Sequence, residues 1–311
     1  MDTVLTSAAD PAEPAAGSPG SPGNTGSPGS TVTIGPGRPF AIIGERINPT
    51  GRKAFQRRLR DGDLSSIEAD VADQVAGGAM LLDVNMGAPL ADEAALMTRA
   101  VRLIQGLTDL PLVLDSSIPE VLDAGLAAYQ GKALVNSVTA EDDRLEVILP
   151  LVKRHGAAVI GLPNDEDEIP DDPARRVELA RKIIHVATER YHIDACDILI
   201  DPLAMPVGAD TGHPRRTLDT IAAIRQELGV NMTLGASNVS FGMPGRPAIG
   251  AAFLPAAMSH GLTSAIMDAR SPDLVRAVKA ADLVLNHDEW GAAWIAAHRA
   301  RQAREQQAAS P

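Results

Sequence analysis

The chain has 311 residues, 45% of them hydrophobic, a formal net charge of -12 and a single cysteine. No apolar stretch approaches the ~18 residues of a membrane span, and the acidic balance argues against nonspecific binding to nucleic acid or anionic lipid while leaving a small anionic ligand open. Cys196 alone cannot form an intramolecular disulfide or a cysteine-rich zinc site, which fits a reducing, cytoplasmic setting.

Residues 1–38 are mostly Pro, Gly, Ser, Ala and Thr, including "GSPGSPGNTGSPGS". Such a composition buries too little surface to offset the entropy of ordering, so this segment is expected to be a disordered tail. It has neither the basic and apolar regions of a secretory signal nor the arginines of a mitochondrial presequence. From Phe40 onward, eight apolar runs read as strands: 40–45, 79–85, 110–117, 133–137, 157–162, 197–202, 231–238 and 263–269. Helical patterns lie between them at 64–77, 91–106, 119–129, 142–154, 173–191, 215–228, 248–260 and 272–281, several opening on Pro or Asp and closing at Gly. Near-continuous apolar strands imply burial on both faces. With no Gly-rich dinucleotide turn after the first strand, eight β-then-α units favour a closed (β/α)8 TIM barrel over residues 39–285. Residues 286–311 then supply an extra C-terminal helix and tail, packed on the outside through Trp290 and Trp294. Cys196, in "DACDILID", reads as strand core. The seven histidines, at 155, 185, 192, 213, 260, 287 and 298, have no spacing that pairs two imidazoles on one helical face, so no metal site is expected.

A barrel carries its active face at the C-terminal ends of its strands. The polar residues expected there are Glu45, Asn48, Asp83, Asn85, Asp115, Asn136, Asn164, Asp201, Asn238 and Asp268. Any one of them reads equally well as a helix cap or a hydrogen-bonded mouth residue. Together they line a pocket with carboxylates and carboxamides, without a Schiff-base lysine, a Ser-His pair or a basic cluster for a substrate phosphate. That lining suits a flat heterocycle with several N–H donors and a carbonyl, because a carboxylate accepts two parallel N–H bonds while an amide both gives and accepts. A pterin has such an edge.

The segments "IIGERINPTG", "LLDVNMGAP", "LVLDSS", "LVNSV", "AVIGL", "ILIDPL", "LGASNVSFG" and "GRPAIGAAFL", in this order and spacing, resemble the pterin-binding methyltransferases that move a methyl group between tetrahydrofolate and a corrinoid. That family includes the folate domain of cobalamin-dependent methionine synthase. The resemblance covers about residues 40–285 and implies a pterin-binding TIM barrel, a homodimer, folate as substrate and a cobalamin-carrying partner protein. By motif position it places pterin contacts on Asp115, Asn136, Asp201 and Arg246, and the amide that approaches N5 on Asn238. Asn238 and Asp201 are then the expected catalytic residues, Asp201 through a water-mediated proton relay. Phe241 departs from some relatives, which carry Gln there, and in that detail the chain looks more like the methionine synthase folate domain.

No DxHxxG motif for cobalamin and no cysteine triad for zinc are present, so the corrinoid is expected to arrive on another protein. The alternative within the fold is dihydropteroate synthase, which condenses a pterin pyrophosphate with p-aminobenzoate and uses cationic groups for the pyrophosphate. In that family's lysine and Arg-x-His positions this chain reads "GASNVSFG" and "AIMDARSP". A noncatalytic folate-binding subunit is the alternative outside enzymes. Two charge runs complete the reading: 164–172 as a solvated acidic loop ahead of a helix, and 51–62 as a solvated basic helix face, with reception of a folate glutamate tail by Arg57 and Arg58 near the barrel mouth as the alternative.

Overall fold

The computed structural model describes residues 1–7, 30–166 and 169–309. The chain opens with strands β1 (Thr3–Ser7) and β2 (Thr31–Ile34), followed by β3 (Ala41–Ile47), α1 (Lys53–Arg60), α2 (Ile67–Gly77), β4 (Leu81–Asn85), α3 (Glu93–Leu107), β5 (Leu112–Asp115) and α4 (Pro119–Ala128). Then come β6 (Gly131–Lys132), β7 (Leu134–Thr139), α5 (Asp142–His155), β8 (Ala158–Leu162), α6 (Pro173–His185), β9 (Ile198–Ile200), α7 (His213–Glu227), β10 (Asn231–Met232), α8 (Arg246–His260), β11 (Ser264–Met267), α9 (Pro272–Val284) and α10 (Ala292–Ala309). Eight strands form one parallel sheet in the order β10-β9-β8-β7-β5-β4-β3-β11. The two ends meet where Gly235 bridges Ile266 and the Ile266 N–H donates to the Leu234 carbonyl at 2.8 Å. The eight expected units are thus present as a (β/α)8 barrel.

Period-2 alternation explains how one set of strands makes both a dry core and a polar mouth. Ala41, Ile43, Leu81, Val113, Leu134, Ala158, Ile160 and Leu199 form an interior cluster separate from the larger one between sheet and helices. Two residues further along the same strand faces stand Glu45, Asp83, Asp115, Asn136 and Asp201. The lower layers of the barrel are apolar and the top layer is acidic and amidic.

The expected tail over 1–38 is corrected at both its ends. β1 and β2 pair antiparallel, and β1 also pairs with β6, giving a small sheet across the N-terminal end of the barrel. Leu5, Val32 and Ile34 join the interior cluster, with Leu5 and Ile34 fully buried. Asn231 Nδ2 donates to Thr3 Oγ1 and the Ile34 carbonyl, both at 2.9 Å, and the Tyr129 hydroxyl donates to the Thr6 carbonyl at 2.7 Å. Averaging composition over 38 residues hides these few alternating apolar side chains; the rest of the expected tail, 8–29, lies outside the described residues.

Three further corrections concern the C-terminal half. Cys196 sits, half-buried, in a one-turn helix at Ala195–Asp197 before β9, not in the strand. The expected strand 231–238 pairs as a strand only at Asn231–Met232, and Ala236–Ser240 winds into a 3-10 turn. Gly235 and the Ser/Asn pair offer weak strand propensity, so the chain leaves the sheet there. α10 exists, but Trp290 is 90% exposed with φ 59°, leaving only Trp294 half-buried against the body. Among the described residues no helix is long and apolar enough to cross a membrane.

Candidate functional site

Each polar residue of the mouth is carried by the end of a strand or the loop beyond it. On one arc, Asn85 pairs in register with Asp115, and Asp115 with Asn136. Asn85 Nδ2 donates to Asp115 Oδ2 at 2.9 Å, and Asn136 Nδ2 donates to Asp83 Oδ1 at 3.1 Å. Two carboxyls and two amides thereby interlock. Burial, reinforced by the facing charge of Asp115, pushes the Asp83 carboxyl well above the usual carboxylate range, against the Asn136 bond. Asp115 is also pushed up, by burial, with the Asn85 amide acting against it. Burial and the facing charge thus disfavour ionisation of the two carboxyls together, and a ligand rich in N–H donors would favour their charged forms.

Across the mouth, Glu45 Oε1 accepts from the Ser237 hydroxyl at 2.8 Å. Burial raises its pKa, the Ser237 bond opposes this, and Asp268 adds to the rise. The aim of Glu45 depends on a register shift in β3 between Gly44 and Ile47. There Gln74, fully buried on α2, uses Oε1 to accept the Arg46 N–H at 2.8 Å. A Cβ on Gly44 would stand 2.4 Å from that oxygen, so the glycine makes room for the brace.

Asn238 lies on the 3-10 turn directly after Ser237 and is exposed. Among the described residues no group hydrogen-bonds its side-chain amide, while its backbone N–H reaches the Gly235 carbonyl at 3.1 Å. The turn is fixed from both sides, by Glu45 on Ser237 Oγ and by Arg246, whose Nη2 donates to the Ser237 carbonyl at 2.8 Å and whose Nε reaches Ser240 Oγ at 3.3 Å. The Arg246 guanidinium also lies 5.8 Å from the centre of the Phe241 ring, which is 66% exposed. Arg246 therefore braces the Asn238 turn, with its remaining surface open to solvent.

Asp201, beyond the end of β9, accepts the Leu203 N–H at 2.8 Å. Burial lifts its pKa from 3.8 to about 7, against that bond and the positive charge of Arg176. Arg176 escaped the sequence reading, although its spacing to Ala180 and Ile183 places it on the buried face of α6. Two expected mouth residues are occupied locally. Asn48 Oδ1 accepts the Thr50 N–H at 2.9 Å. Burial pushes Asp268 upward, but Arg270, bonded to both its oxygens at 2.9 Å, together with the Arg270 N–H, holds its pKa below the ordinary value.

Other polar groupings lie elsewhere. Asp194, Cys196 and Asp197 bring ligand-type atoms within 4.8 Å of one another at the opposite end of the barrel, where Asp197 is held by Lys132. A cavity of about 930 Å³ lies outside the barrel, between α2, α9 and α10. The mouth brings together four buried or half-buried carboxyls with raised pKa, Glu45, Asp83, Asp115 and Asp201, and the unbonded Asn238 amide.

Residues 44–268 match the model of a family described as "Pterin binding enzyme". The chain belongs to the pterin-binding enzyme family. The match runs from Gly44, one residue before Glu45, to Asp268, and so contains the mouth residues just described. This pterin-binding enzyme is 34% identical over 240 residues to methionine synthase from Mycobacterium tuberculosis (strain ATCC 25618 / H37Rv) and from Mycobacterium leprae (strain TN). The alignments cover 73% of the chain and 20% of each relative, so it spans about a fifth of the length of those proteins. Among solved structures, Xanthomonas albilineans dihydropteroate synthase with 4-aminobenzoic acid superposes with a TM-score of 0.60 at 24% identity, over 82% of this chain and 95% of that one. Yersinia pestis dihydropteroate synthase with a pterin-sulfa conjugate gives 0.60 at 17%, over 81% and 95%. At those identities the likeness establishes the shared fold.

Proposed function

We propose that this pterin-binding enzyme transfers a methyl group between N5 of tetrahydrofolate and the cobalt of a corrinoid carried by a partner protein. The observation that carries the reading is Asn238: a neutral amide whose side chain takes no hydrogen bond among the described residues, on a turn braced from both sides above a ring of carboxyls and amides. The interlocked Asp83, Asn85, Asp115 and Asn136 supply acceptors and donors for the flat edge of a pterin, with Asp115 the acceptor for its N–H groups. Asp201, on the other arc, closes the ring.

The chemistry asks little of the protein as a base. A methyl group on a tertiary amine leaves only if the electron pair of the breaking C–N bond is stabilised on N5. In the direction toward cobalt, the reduced Co(I) centre supplies the electron pair of the new Co–C bond and becomes methyl-Co(III), while the C–N pair stays on N5 and takes up a proton. A carboxamide at N5 strengthens its hydrogen bond as that pair develops and carries no fixed charge that would over-stabilise the ground state. Asp201, titrating near neutrality, is suited to hand a proton through water toward N5 and to recover it in the reverse direction. Gly242 and Gly245, just beyond the 3-10 turn, add no side-chain bulk on the Asn238 side from which a corrin would approach.

Purified protein mixed with methyltetrahydrofolate and cob(I)alamin, and then with tetrahydrofolate and methylcobalamin, tests the reading through the corrin spectrum. Methyl exchange in either direction supports it. Synthesis of dihydropteroate from a pterin pyrophosphate and p-aminobenzoate, without exchange, would replace it with the condensation reading.

A further inference from the structure

One buried arginine has so far entered only as a charge near Asp201. Arg176 is 1% exposed, on the inward face of α6, yet no carboxylate lies within ion-pairing distance of it among the described residues. Its guanidinium is spent on backbone carbonyls: Nε donates to Pro170 at 2.6 Å, and Nη1 to Pro202 at 2.8 Å and Leu203 at 2.9 Å. Pro202 and Leu203 follow Asp201 directly, and the N–H of Leu203 is the donor that holds the Asp201 carboxylate. Leu203 has φ 62°, a left-handed conformation that a leucine adopts only when its surroundings impose it. Thr217 Oγ1 adds a longer bond, 3.3 Å, to the same Leu203 carbonyl.

Burying a guanidinium on neutral carbonyls is costly, and the same loop would be held more cheaply by an uncharged donor. What a charge adds is a positive potential beneath Asp201. We propose that Arg176 is the positioning residue for Asp201: it locks the Pro202–Leu203 turn so that the Leu203 N–H meets the carboxylate, and its charge sets how readily that carboxylate gives up its proton. The inference rests on the reading of Asp201 as a pterin-site residue. The other charged groups around this arginine are Asp171 on the loop before α6 and Arg216 on α7, with His213 at 3.5 Å from Asp171.

The direction follows from sign alone. Removing a positive charge near a carboxylic acid disfavours its ionised form, so the Asp201 titration moves to higher pH; a lysine in its place keeps charge but lacks the planar fork that serves three carbonyls. The experiment is a 13C NMR titration of aspartate carboxyls in the full chain, with Asp201→Asn used to assign the resonance and to separate it from Asp171 and His213. Arg176→Met, Arg176→Lys and, as a control, the exposed Arg175→Met are compared, each checked for folding by circular dichroism.

In folded Arg176→Met the Asp201 midpoint is expected to rise by at least half a unit, about a threefold change in proton affinity. Arg176→Lys should recover most of that shift, and Arg175→Met should leave it unchanged. The pH profile of tetrahydrofolate binding should move with the midpoint. An unmoved Asp201 midpoint in a folded Arg176→Met protein, or an equal rise in Arg175→Met, overturns the proposal. Should Arg176→Met not fold, Arg176→Lys decides: a midpoint within a few tenths of wild type, with weakened folate binding that reflects the lost fork, supports the role, and unchanged binding rejects it. None of these readouts needs methyl transfer. A shifted midpoint in a protein that moves no methyl group would retain the positioning role and discard the methyltransferase reading.

Discussion

Asn238 and Asp201 carry different parts of the proposed reaction, and their variants should separate accordingly. Asn238 offers a bond that matters most as N5 gains electron density, so Asn238→Ala should lower kcat about 10²- to 10³-fold while changing methyltetrahydrofolate affinity little; parallel loss of affinity in a binding titration would assign Asn238 to ground-state binding instead. Asp115 has the opposite profile. As a charged acceptor for ring N–H groups it is worth about 1.5–3 kcal/mol, so Asp115→Asn should weaken folate binding about 10- to 150-fold. For Asp201 the raised pKa is also a statement about stability. Its folded value of about 7 lies above the ordinary value of 3.8, so the folded state holds a proton that the unfolded state has already released across that window. The stability this group contributes is complete below pH 4 and is lost as pH rises through 7. Asp201→Asn cannot ionise; denaturant melts should show it level with wild type at pH 4 and more stable at pH 8, by up to about 4 kcal/mol. A lower stability at pH 8 would contradict the assigned burial.

At the level of elements, the strand faces were legible because alternation is a local property. Reading "FAIIGE", "LLDVN", "LVLD" and "LVNS" two residues at a time already places Glu45, Asp83, Asp115 and Asn136 on the inner face. What a single element cannot disclose is which partner each side chain takes from another. The bond from Ser237 to Glu45 joins residues 192 apart in sequence, and Gln74 reaches β3 from a helix whose local pattern shows only a buried polar residue. Arg176 was partly legible, as an arginine in phase with Ala180 and Ile183, but its carbonyl partners come from the loop after β9. The β1–β2 hairpin was masked by the composition of the residues around it. Two stability measurements follow from these contacts. Leu5→Ala should cost about 2–5 kcal/mol, because Leu5 fills the lower barrel with no exposed surface; a loss near zero would mean that the hairpin is not seated there in solution. Gly44→Ala should destabilise by about 1–3 kcal/mol, since the added methyl displaces the Gln74 brace, and it should weaken folate binding as well through the aim of Glu45.

For the molecule as a whole, the barrel divides its labour along one axis. The hairpin and the apolar layers close the N-terminal end, and the acidic and amidic layer opens the other. The matched methionine synthases are about five times longer than the region they share with this chain, so the barrel is the unit on which the shared chemistry can be judged. The neutral Asn238 turn is the feature on which the proposal of a methyl group over a pterin pyrophosphate rests. The direct measurement is the corrin absorption spectrum during a reaction of the purified full chain with methyltetrahydrofolate and cob(I)alamin. The expected result is conversion of the Co(I) spectrum to that of methylcobalamin at a rate proportional to enzyme and about 10²- to 10³-fold lower in Asn238→Ala. A Co(I) spectrum that persists at the rate of the enzyme-free control, in a protein that binds methyltetrahydrofolate, together with no exchange from methylcobalamin to tetrahydrofolate, would contradict the proposed function.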